Sequence, residues 1–142
     1  MIRKANKKDL NRLMKIWLDS NLDTHDFVPA SYWQNHYDEV RNALLQANVF
    51  AYEDNDKILG FVGMIDHYLA GIFVDEKYRG HGVGTKLLAY IKQNYDNFSL
   101  HVYEKNKRAV SFYIAQGMKI SMIDIDQDTN GREYSMEWKN NL

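Results

Sequence analysis

A glycine-rich loop between an apolar run and an amphipathic helix is the feature of this chain that most restricts its fold. The run Tyr68–Val74 is rich in β-branched, aromatic and apolar residues, which predicts a strand. The loop at residues 79–84 reads RGHGVG. Apolar residues then recur at helical spacing: Val83, Leu87, Leu88 and Ile91. Residues 98–103 predict another strand, so a strand leads into a phosphate-type turn, a helix and a second strand.

The three glycines of this loop give its backbone unusual freedom. Gly80, Gly82 and Gly84 allow the chain to bend without Cβ clashes and to come close to a ligand. The helix that follows presents unpaired N–H groups and a partial positive charge, which together bind phosphate oxygens. Arg79 adds a charge-assisted contact at the start of the loop, and Thr85 adds a hydroxyl in the first helical turn.

The order of residues excludes two common nucleotide loops. A Walker loop requires G-x-x-x-x-G-K-[ST], but the residue five positions before Gly84 is Arg79. Gly84 is also followed by Thr85 and Lys86, which is the wrong order. A dinucleotide fingerprint requires G-x-G-x-x-G, and its third glycine would fall at position 85, which is Thr. An enzyme that cleaves nucleotide phosphates is therefore disfavoured.

Two amphipathic helices are predicted before the glycine loop. A short third helix is predicted after the strand at residues 98–103. The first carries apolar residues at helical spacing: Leu10, Leu13, Met14, Trp17 and Leu18. The second begins near Ser31, a residue suited to an N-cap, and residues 21–30 are predicted to form a loop. The short helix begins after Asn106 as N-cap and ends at Gly117, where a left-handed residue is expected.

Four more apolar runs predict strands. Residues 49–52 and 58–65 flank a turn-forming Asp-Asn-Asp sequence, which predicts an antiparallel hairpin. Residues 119–125 and 133–138 flank a polar turn that contains Asn-Gly, which predicts a closing pair of strands. Because the pattern shows no repeat and no linker, we expect residues 1–142 to form a single domain.

Composition narrows the classes of function. The 18 Lys and Arg residues balance 19 Asp and Glu, so the net charge of −1 provides no basic field for nucleic acid. Cys is absent and the five His residues show no metal-binding spacing, so no metal is expected. The chain has neither a signal-peptide pattern nor an apolar run of about eighteen residues, so we expect a cytoplasmic protein that binds no membrane.

Two motifs give the chain a family resemblance. The first is R-x-x-G-x-G: Arg79, Gly82 and Gly84. The second is a later block: Asn106, Ala109, Phe112, Tyr113 and Gly117. An opening Ile2-Arg3 strand and Asp9 at the start of the first helix extend the likeness over nearly the whole chain. The chain resembles the GNAT superfamily of N-acetyltransferases, and Thr-His-Asp-Phe at residues 24–27 is similar to small bacterial members that include protein-lysine acetyltransferases.

The resemblance implies a fold and an activity. The fold is α/β (α+β), with a mixed sheet of six to seven strands that is splayed near its middle and flanked by four helices. The activity is transfer of the acetyl group of acetyl-CoA to a primary amine, with a protein lysine or a small-molecule amine as acceptor. Because Cys is absent and no Ser lies in a nucleophile motif, the amine is expected to attack directly. The expected oligomeric state is a monomer or a homodimer.

The resemblance also implies which residues bind acetyl-CoA. Its pantetheine arm pairs like a strand with the backbone of the residues before the loop: Ile72, Phe73 and Val74. Its pyrophosphate lies against the loop and the first helical turn: Arg79, Gly80, His81, Gly82, Val83, Gly84 and Thr85. His81 is alternatively explained as a surface side chain. Asn106 is expected either to act as a helix cap alone or, as the resemblance implies, to bond a pantetheine amide as well.

Direct transfer requires two proton movements. The acceptor ammonium must lose a proton before its nitrogen can attack, and the leaving thiolate must gain one. The resemblance implies that Tyr113 donates the proton to the sulfur. The base is left open among several groups: Asp66, His67, His101 or a water molecule. The acceptor pocket is expected to include His25 and Phe27, in the segment before the second helix.

A non-enzymatic acyl-CoA-binding module is the alternative function. In that case the same loop holds the coenzyme as a sensor or as part of a complex. Tyr113 separates the two hypotheses, because only an enzyme needs a proton donor at the sulfur. The sequence leaves the identity of the acceptor amine open.

Overall fold

A computed structural model of the chain describes residues 1–24 and 27–140. This part contains seven strands: β1 (Ile2–Lys4), β2 (Asn48–Asp54), β3 (Lys57–Ile65), β4 (Tyr68–Val74), β5 (Asn97–Tyr103), β6 (Lys119–Ile125) and β7 (Arg132–Lys139). It also contains five α-helices: α1 (Leu10–Thr24), α2 (Ala30–Asn35), α3 (Tyr37–Gln46), α4 (Val83–Asn94) and α5 (Lys107–Ala115). Short 3-10 helices precede α1 (Lys7–Asp9) and the glycine loop (Glu76–Tyr78).

The seven strands form one mixed sheet in the order β1-β2-β3-β4-β5-β7-β6. Neighbouring strands are antiparallel, except that β4 and β5 run parallel. These two strands pair at one position, Tyr68 with Ser99, and separate beyond it. The predicted mixed and splayed sheet is therefore confirmed, and the predicted hairpin is confirmed as β2 and β3.

Helices cover both faces of the sheet. On one face, α4 and α5 pack over a core of fully buried side chains: Val62, Met64, Leu87, Leu88, Ile91 and Met136. On the other face, α1, α2 and α3 pack over a second core: Leu13, Met14, Trp17, Ala51 and Phe61. Successive strand residues point to opposite faces, which is why the neighbours Phe61 and Val62 on β3 belong to different cores.

The structure corrects the predicted end of the first helix. α1 continues to Thr24, so residues 21–24 are helical where a loop was predicted. Asn21 is buried there, and its side-chain amide donates to the backbone oxygen of Trp17 one turn earlier, at 2.8 Å. This bond satisfies a buried polar group inside the helix, which explains why a residue typical of turns does not end it.

The second predicted helix consists of two helices, α2 and α3, which meet at His36. The N-cap of α2 is Pro29, with φ of −56° and ψ of 140°, in place of the predicted Ser31. The ring of proline fixes φ near this value, so the residue suits the position just before a first turn. Four long helices flank the sheet as predicted, and the short α2 is additional.

Residues 1–24 and 27–140 contain no helix that is both long and apolar enough to cross a membrane. In the same part of the chain, no three residues among His, Cys, Asp and Glu are placed together to hold a metal ion. The oligomeric state and the cytoplasmic location stay predictions.

Candidate active site

A cleft of about 540 Å³ opens where β4 and β5 separate. Its walls come from the end of α1, the second half of β4, the glycine loop, the first turn of α4, and α5. Predicted coenzyme contacts line it: Ile72, Phe73, Val74, Arg79, Gly80, Gly82, Val83, Gly84, Thr85 and Asn106. Tyr113 lines the same cleft. The two sequence motifs, which are far apart along the chain, therefore meet in one cavity.

Two left-handed glycines shape the loop. Gly80 and Gly82 have φ of 80° and 82°, a conformation that residues with a Cβ rarely adopt. A Cβ added at either position would meet no described atom within 4 Å, so both glycines border open space. Gly82 is also the N-cap of α4, which places the unpaired N–H groups of the first helical turn beside this space. The loop therefore has the backbone geometry of an anion site.

The third glycine lies in a different environment. Gly84 lies in the first turn of α4, and a Cβ at this position would lie 3.6 Å from the Phe112 ring and 3.9 Å from a Val74 methyl group. These distances are ordinary van der Waals contacts, so a Cβ would fit between α4, β4 and α5. Gly84 lines the cleft with the other two glycines, and its backbone contact with the coenzyme stays a prediction.

Arg79 lines the cleft and is already paired with an acid. Its Nη1 donates to Oδ2 of Asp23 near the end of α1, at 2.8 Å. The Arg79 side chain is 22% exposed and that of Asp23 is 52% exposed. Because a guanidinium carries five N–H donors, the ion pair links α1 to the loop and leaves Arg79 with further donors for a phosphate.

A second arginine supports the segment that leads into the loop, and sequence reasoning missed it. Arg12 on α1 donates to the backbone oxygen of Ile58 at 2.9 Å and to Oδ2 of Asp75 at 2.6 Å. Partial burial would raise the pKa of Asp75, but the hydrogen bonds from Arg12 and from the N–H of Lys77 outweigh it and lower the pKa. The ionised Asp75 therefore anchors α1 to the residues that follow β4. An isolated arginine on a helix gives no sequence signal for such a distant partner.

The second half of β4 offers a strand edge to the cleft. One edge of Ile72, Phe73 and Val74 pairs with β3. In the described part of the chain, β5 does not pair with the opposite edge of these three residues, because the ladder between β4 and β5 ends at Tyr68. Ser20 on α1 approaches this edge, with its hydroxyl 3.4 Å from the backbone oxygen of Val74. An extended ligand arm could pair here as an added strand.

Asn106 and Tyr113 bring α5 into the site. Asn106 caps α5, and its Oδ1 accepts a hydrogen bond from the N–H of Ala109 at 3.3 Å, as predicted. Tyr113 is 7% exposed and its ring packs edge-on against Phe112, with centroids 5.3 Å apart. Burial raises the pKa of Tyr113, and interaction with Tyr68 raises it further. The phenol therefore stays protonated at neutral pH, which is the state that a proton donor needs.

Two described residues among the predicted contacts, His81 and Phe27, do not line the cleft. His81 is exposed and does not belong to the lining, in agreement with its alternative interpretation as a surface residue. Phe27 packs instead against Tyr103, with ring centroids 5.3 Å apart and an interplanar angle of 84°. His25 lies outside the described residues.

The candidate bases fall in two places. Asp66 and His67 form the turn before β4, with φ of 53° at Asp66 and the His67 Nδ1 at 2.8 Å from the backbone oxygen of Asn97. Since the cleft lies along the other half of β4, the structure does not bring these two residues to it. His101 is exposed on β5, and its Nδ1 lies 3.1 Å from the hydroxyl of Tyr68.

Solved structures with this arrangement of strands and helices include two that match along nearly their full length. The solution structure of apo YjaB from Escherichia coli has a TM-score of 0.85 at 26% identity, covering 99% of this chain and 97% of that one. PaiA N-acetyltransferase from Thermoplasma acidophilum, solved in complex with coenzyme A, has a TM-score of 0.80 at 20% identity, covering 98% of each chain. The overall fold is therefore shared.

Sequence comparison identifies the family. The profile of the Acetyltransferase (GNAT) family matches residues 10–118. Peptidyl-lysine N-acetyltransferase YiaC from Escherichia coli (strain K12) is 35% identical over 140 residues, which cover 97% of this chain and 96% of YiaC. With both motifs in one cleft and these matches over most of its length, the chain belongs to the GNAT family of acetyltransferases.

Proposed function

We propose that this acetyltransferase transfers the acetyl group of acetyl-CoA to the ε-amine of a lysine in a peptide or protein. The observation that carries the proposal is the single cleft that holds the glycine loop, the free edge of β4 and the buried phenol of Tyr113. The name of YiaC as a peptidyl-lysine N-acetyltransferase supports lysine as the acceptor. A sensor that binds acetyl-CoA without turnover is less well supported, because it would not need a proton donor in the cleft.

The geometry of the cleft supports a specific seat for the coenzyme. Its diphosphate binds the N–H groups of the loop and of the first turn of α4, where Gly80 and Gly82 border open space. Its pantetheine arm lies along the free edge of β4. Asn106, at the start of α5, lines the same cleft, and its side chain is proposed to bond an amide of the arm.

The chemistry is one addition followed by one elimination. The neutral amine nitrogen attacks the thioester carbonyl carbon, so a C–N bond forms and the C–S bond breaks. The sulfur takes the phenolic proton of Tyr113, and a proton from the former amine nitrogen returns to the phenolate. Burial supports this role, because a phenol with a raised pKa is fully protonated before the thiolate forms. Cys is absent from the sequence, so no thiol carries the acetyl group between the two substrates.

The acceptor side of the site is proposed to involve Phe27, which has an aromatic and acidic neighbourhood. Its ring packs on Tyr103, whose hydroxyl donates to Oδ2 of Asp126 at 2.6 Å. Hydrogen bonds from Tyr103 and from nearby backbone hold the pKa of Asp126 below its usual value, against the effect of partial burial. An ionised carboxylate beside aromatic rings favours a cationic, alkyl-chained acceptor such as lysine. His25, which lies outside the described residues, stays a predicted acceptor contact.

Removing the hydroxyl of Tyr113 tests the proposed activity. We expect Tyr113→Phe to lower the rate of CoA release with acetyl-CoA and a peptide containing one lysine by about 100-fold, the typical contribution of acid catalysis. Acetyl-CoA affinity, measured by titration calorimetry, should change little, since the ring remains in place. Tyr95→Phe is the matched control, because Tyr95 packs beside His67 at the opposite end of β4. A Tyr113→Phe protein with wild-type turnover would contradict the assigned role.

A further inference from the structure

Three polar side chains on neighbouring strands form a cluster beside the splay, the point where β4 and β5 separate. The mechanism proposed above does not use this cluster. Tyr68 on β4 and His101 on β5 are joined by a hydrogen bond of 3.1 Å between the Tyr68 hydroxyl and Nδ1 of His101. Their rings lie 5.3 Å apart between centroids. Glu133 on β7 is the third member, and its charge interacts with His101.

The position of Tyr68 relates this cluster to the cleft. Its backbone pairs with Ser99, the last point at which β4 and β5 are joined. Its hydroxyl, however, contacts His101, two residues further along β5. The ring therefore leans along the strands and bridges them where they begin to separate. Tyr68 therefore stands beside the point where the cleft opens, although it is outside the described lining, and it contributes to the raised pKa of the buried Tyr113 phenol after the larger effect of burial.

Strand register places His101 and Glu133 on the same surface. His101 pairs with Ser135, and Glu133 stands two residues before Ser135 on β7. Residues opposite each other in an antiparallel ladder share a face, as do residues two apart on one strand. His101 and Glu133 are therefore diagonal neighbours, so a carboxylate shares the face of the sheet on which the imidazole lies.

Burial within the cluster decreases from the splay to the surface. Tyr68 is half-buried, and burial together with the charge of Glu133 raises its pKa. His101 is exposed to solvent. Partial burial raises the pKa of Glu133, and the neighbouring His101 opposes that shift. A proton that reaches His101 can therefore leave to water, whereas Tyr68 is unsuited to holding a negative charge.

We propose that Tyr68 and His101 form a proton relay that deprotonates the acceptor ammonium, with Glu133 stabilising the imidazolium. The inference rests on the proposed function. With the neutral ring protonated at Nε2, Nδ1 accepts the Tyr68 hydroxyl proton while the Tyr68 oxygen takes a proton from the ammonium. Tyr68 is neutral before and after, His101 becomes a cation, and the amine nitrogen gains the lone pair that attacks the thioester. The imidazolium then releases its proton to water.

The direction of the relay separates the two proton tasks in space. Tyr113 supplies a proton to the thiolate from the core covered by α4 and α5. Tyr68 and His101 remove a proton toward the exposed surface of β5 and β7. The excess proton of the ammonium thus leaves the site while the sulfur is protonated independently. Asp66 and His67, at the turn before β4, have no part in this path.

The experiment compares two acceptor peptides that differ in the acidity of one ammonium. The first contains a single lysine, and the second contains γ-thialysine, whose ammonium loses its proton more readily. Rates of CoA release are measured at pH 7 for the wild type, His101→Gln, Tyr68→Phe and the matched control His67→Gln. Acetyl-CoA affinity is measured by calorimetry for each protein. His101 is exposed, so its substitution should leave folding intact.

We expect His101→Gln and Tyr68→Phe to lower kcat/KM for the lysine peptide by about 100-fold and that for the thialysine peptide by about 10-fold. His67→Gln should match the wild type on both peptides, and acetyl-CoA affinity should be the same in all four proteins. Equal losses on the two peptides, or no loss in His101→Gln, would overturn the relay while leaving the proposed function standing. A wild-type protein that acetylates neither peptide would overturn the proposed function and the relay with it.

Discussion

Replacing Gly82 with alanine separates the backbone strain of the glycine loop from its proposed role in binding coenzyme. Gly82 has φ of 82°, and a Cβ at this position would meet no described atom within 4 Å. The substitution therefore causes no clash in the free protein. Its two effects are the strain of a left-handed alanine and the presence of a methyl group where the diphosphate is proposed to bind.

The magnitude of each effect follows from this geometry. A left-handed alanine costs about 1 to 2 kcal/mol, partly offset by the lower entropy of the unfolded chain. For a domain of this size, a loss of about 1 kcal/mol lowers Tm by roughly 4 °C. One or two charge-assisted hydrogen bonds lost to the displaced diphosphate are worth about 1.5 to 3 kcal/mol each. The affinity for CoA should therefore fall by about 10- to 100-fold or more.

Gly117→Ala is the matched control. Gly117 has φ of 91°, and a Cβ would lie 3.9 Å from Trp138, which is ordinary contact. Gly117 follows α5 and does not belong to the described cleft lining. We expect thermal denaturation to show a similar loss of Tm in both variants. Titration calorimetry with CoA should show weaker binding in Gly82→Ala alone.

Two results would refute this reasoning. Wild-type CoA affinity in Gly82→Ala would show that the diphosphate does not bind beside this glycine. An equal loss of affinity in Gly117→Ala would show that strain in the fold, and not the added methyl group, weakens binding.

Three further predictions follow from ion pairs and packing. Arg3 donates to Asp9 at 2.9 and 3.0 Å and lowers the pKa of that carboxyl from 3.8. The stabilisation from this ion pair is therefore present above pH 3.8 and is lost as the pH falls further. Asp9→Asn should lower Tm at pH 7, and the difference in Tm from the wild type should shrink below pH 3.8. Asp23→Asn frees Arg79 from an exposed ion pair worth at most about 1 kcal/mol, so calorimetry should show CoA binding about two- to five-fold tighter. Leu87→Ala empties a fully buried site and should destabilise the fold by about 2 to 5 kcal/mol in denaturant titrations.

Local pattern predicted the elements well because it reports on local backbone geometry. The runs that became β3 and β4, the cap at Asn106 and the left-handed Gly117 were all visible in the sequence. The predicted ends of elements were wrong where a side chain contacts a distant or unexpected partner. Residues 21–24 belong to α1, where Asn21 is buried and bonds the backbone of Trp17, and periodicity in the preceding residues does not reveal this.

The sequence by itself determined the strand, glycine loop and helix, and through its two motifs the family and the residues proposed to bind acetyl-CoA. Only the tertiary structure decided where the predicted splay lies, with β4 and β5 separating after Tyr68, because the pairing of two strands distant in sequence is not encoded in either run alone. That separation opens the cleft and leaves Asp66 and His67 outside it, and the last paired position brings Tyr68 next to His101. Contacts between residues so far apart in sequence have no local signature, since they arise from long-range packing alone.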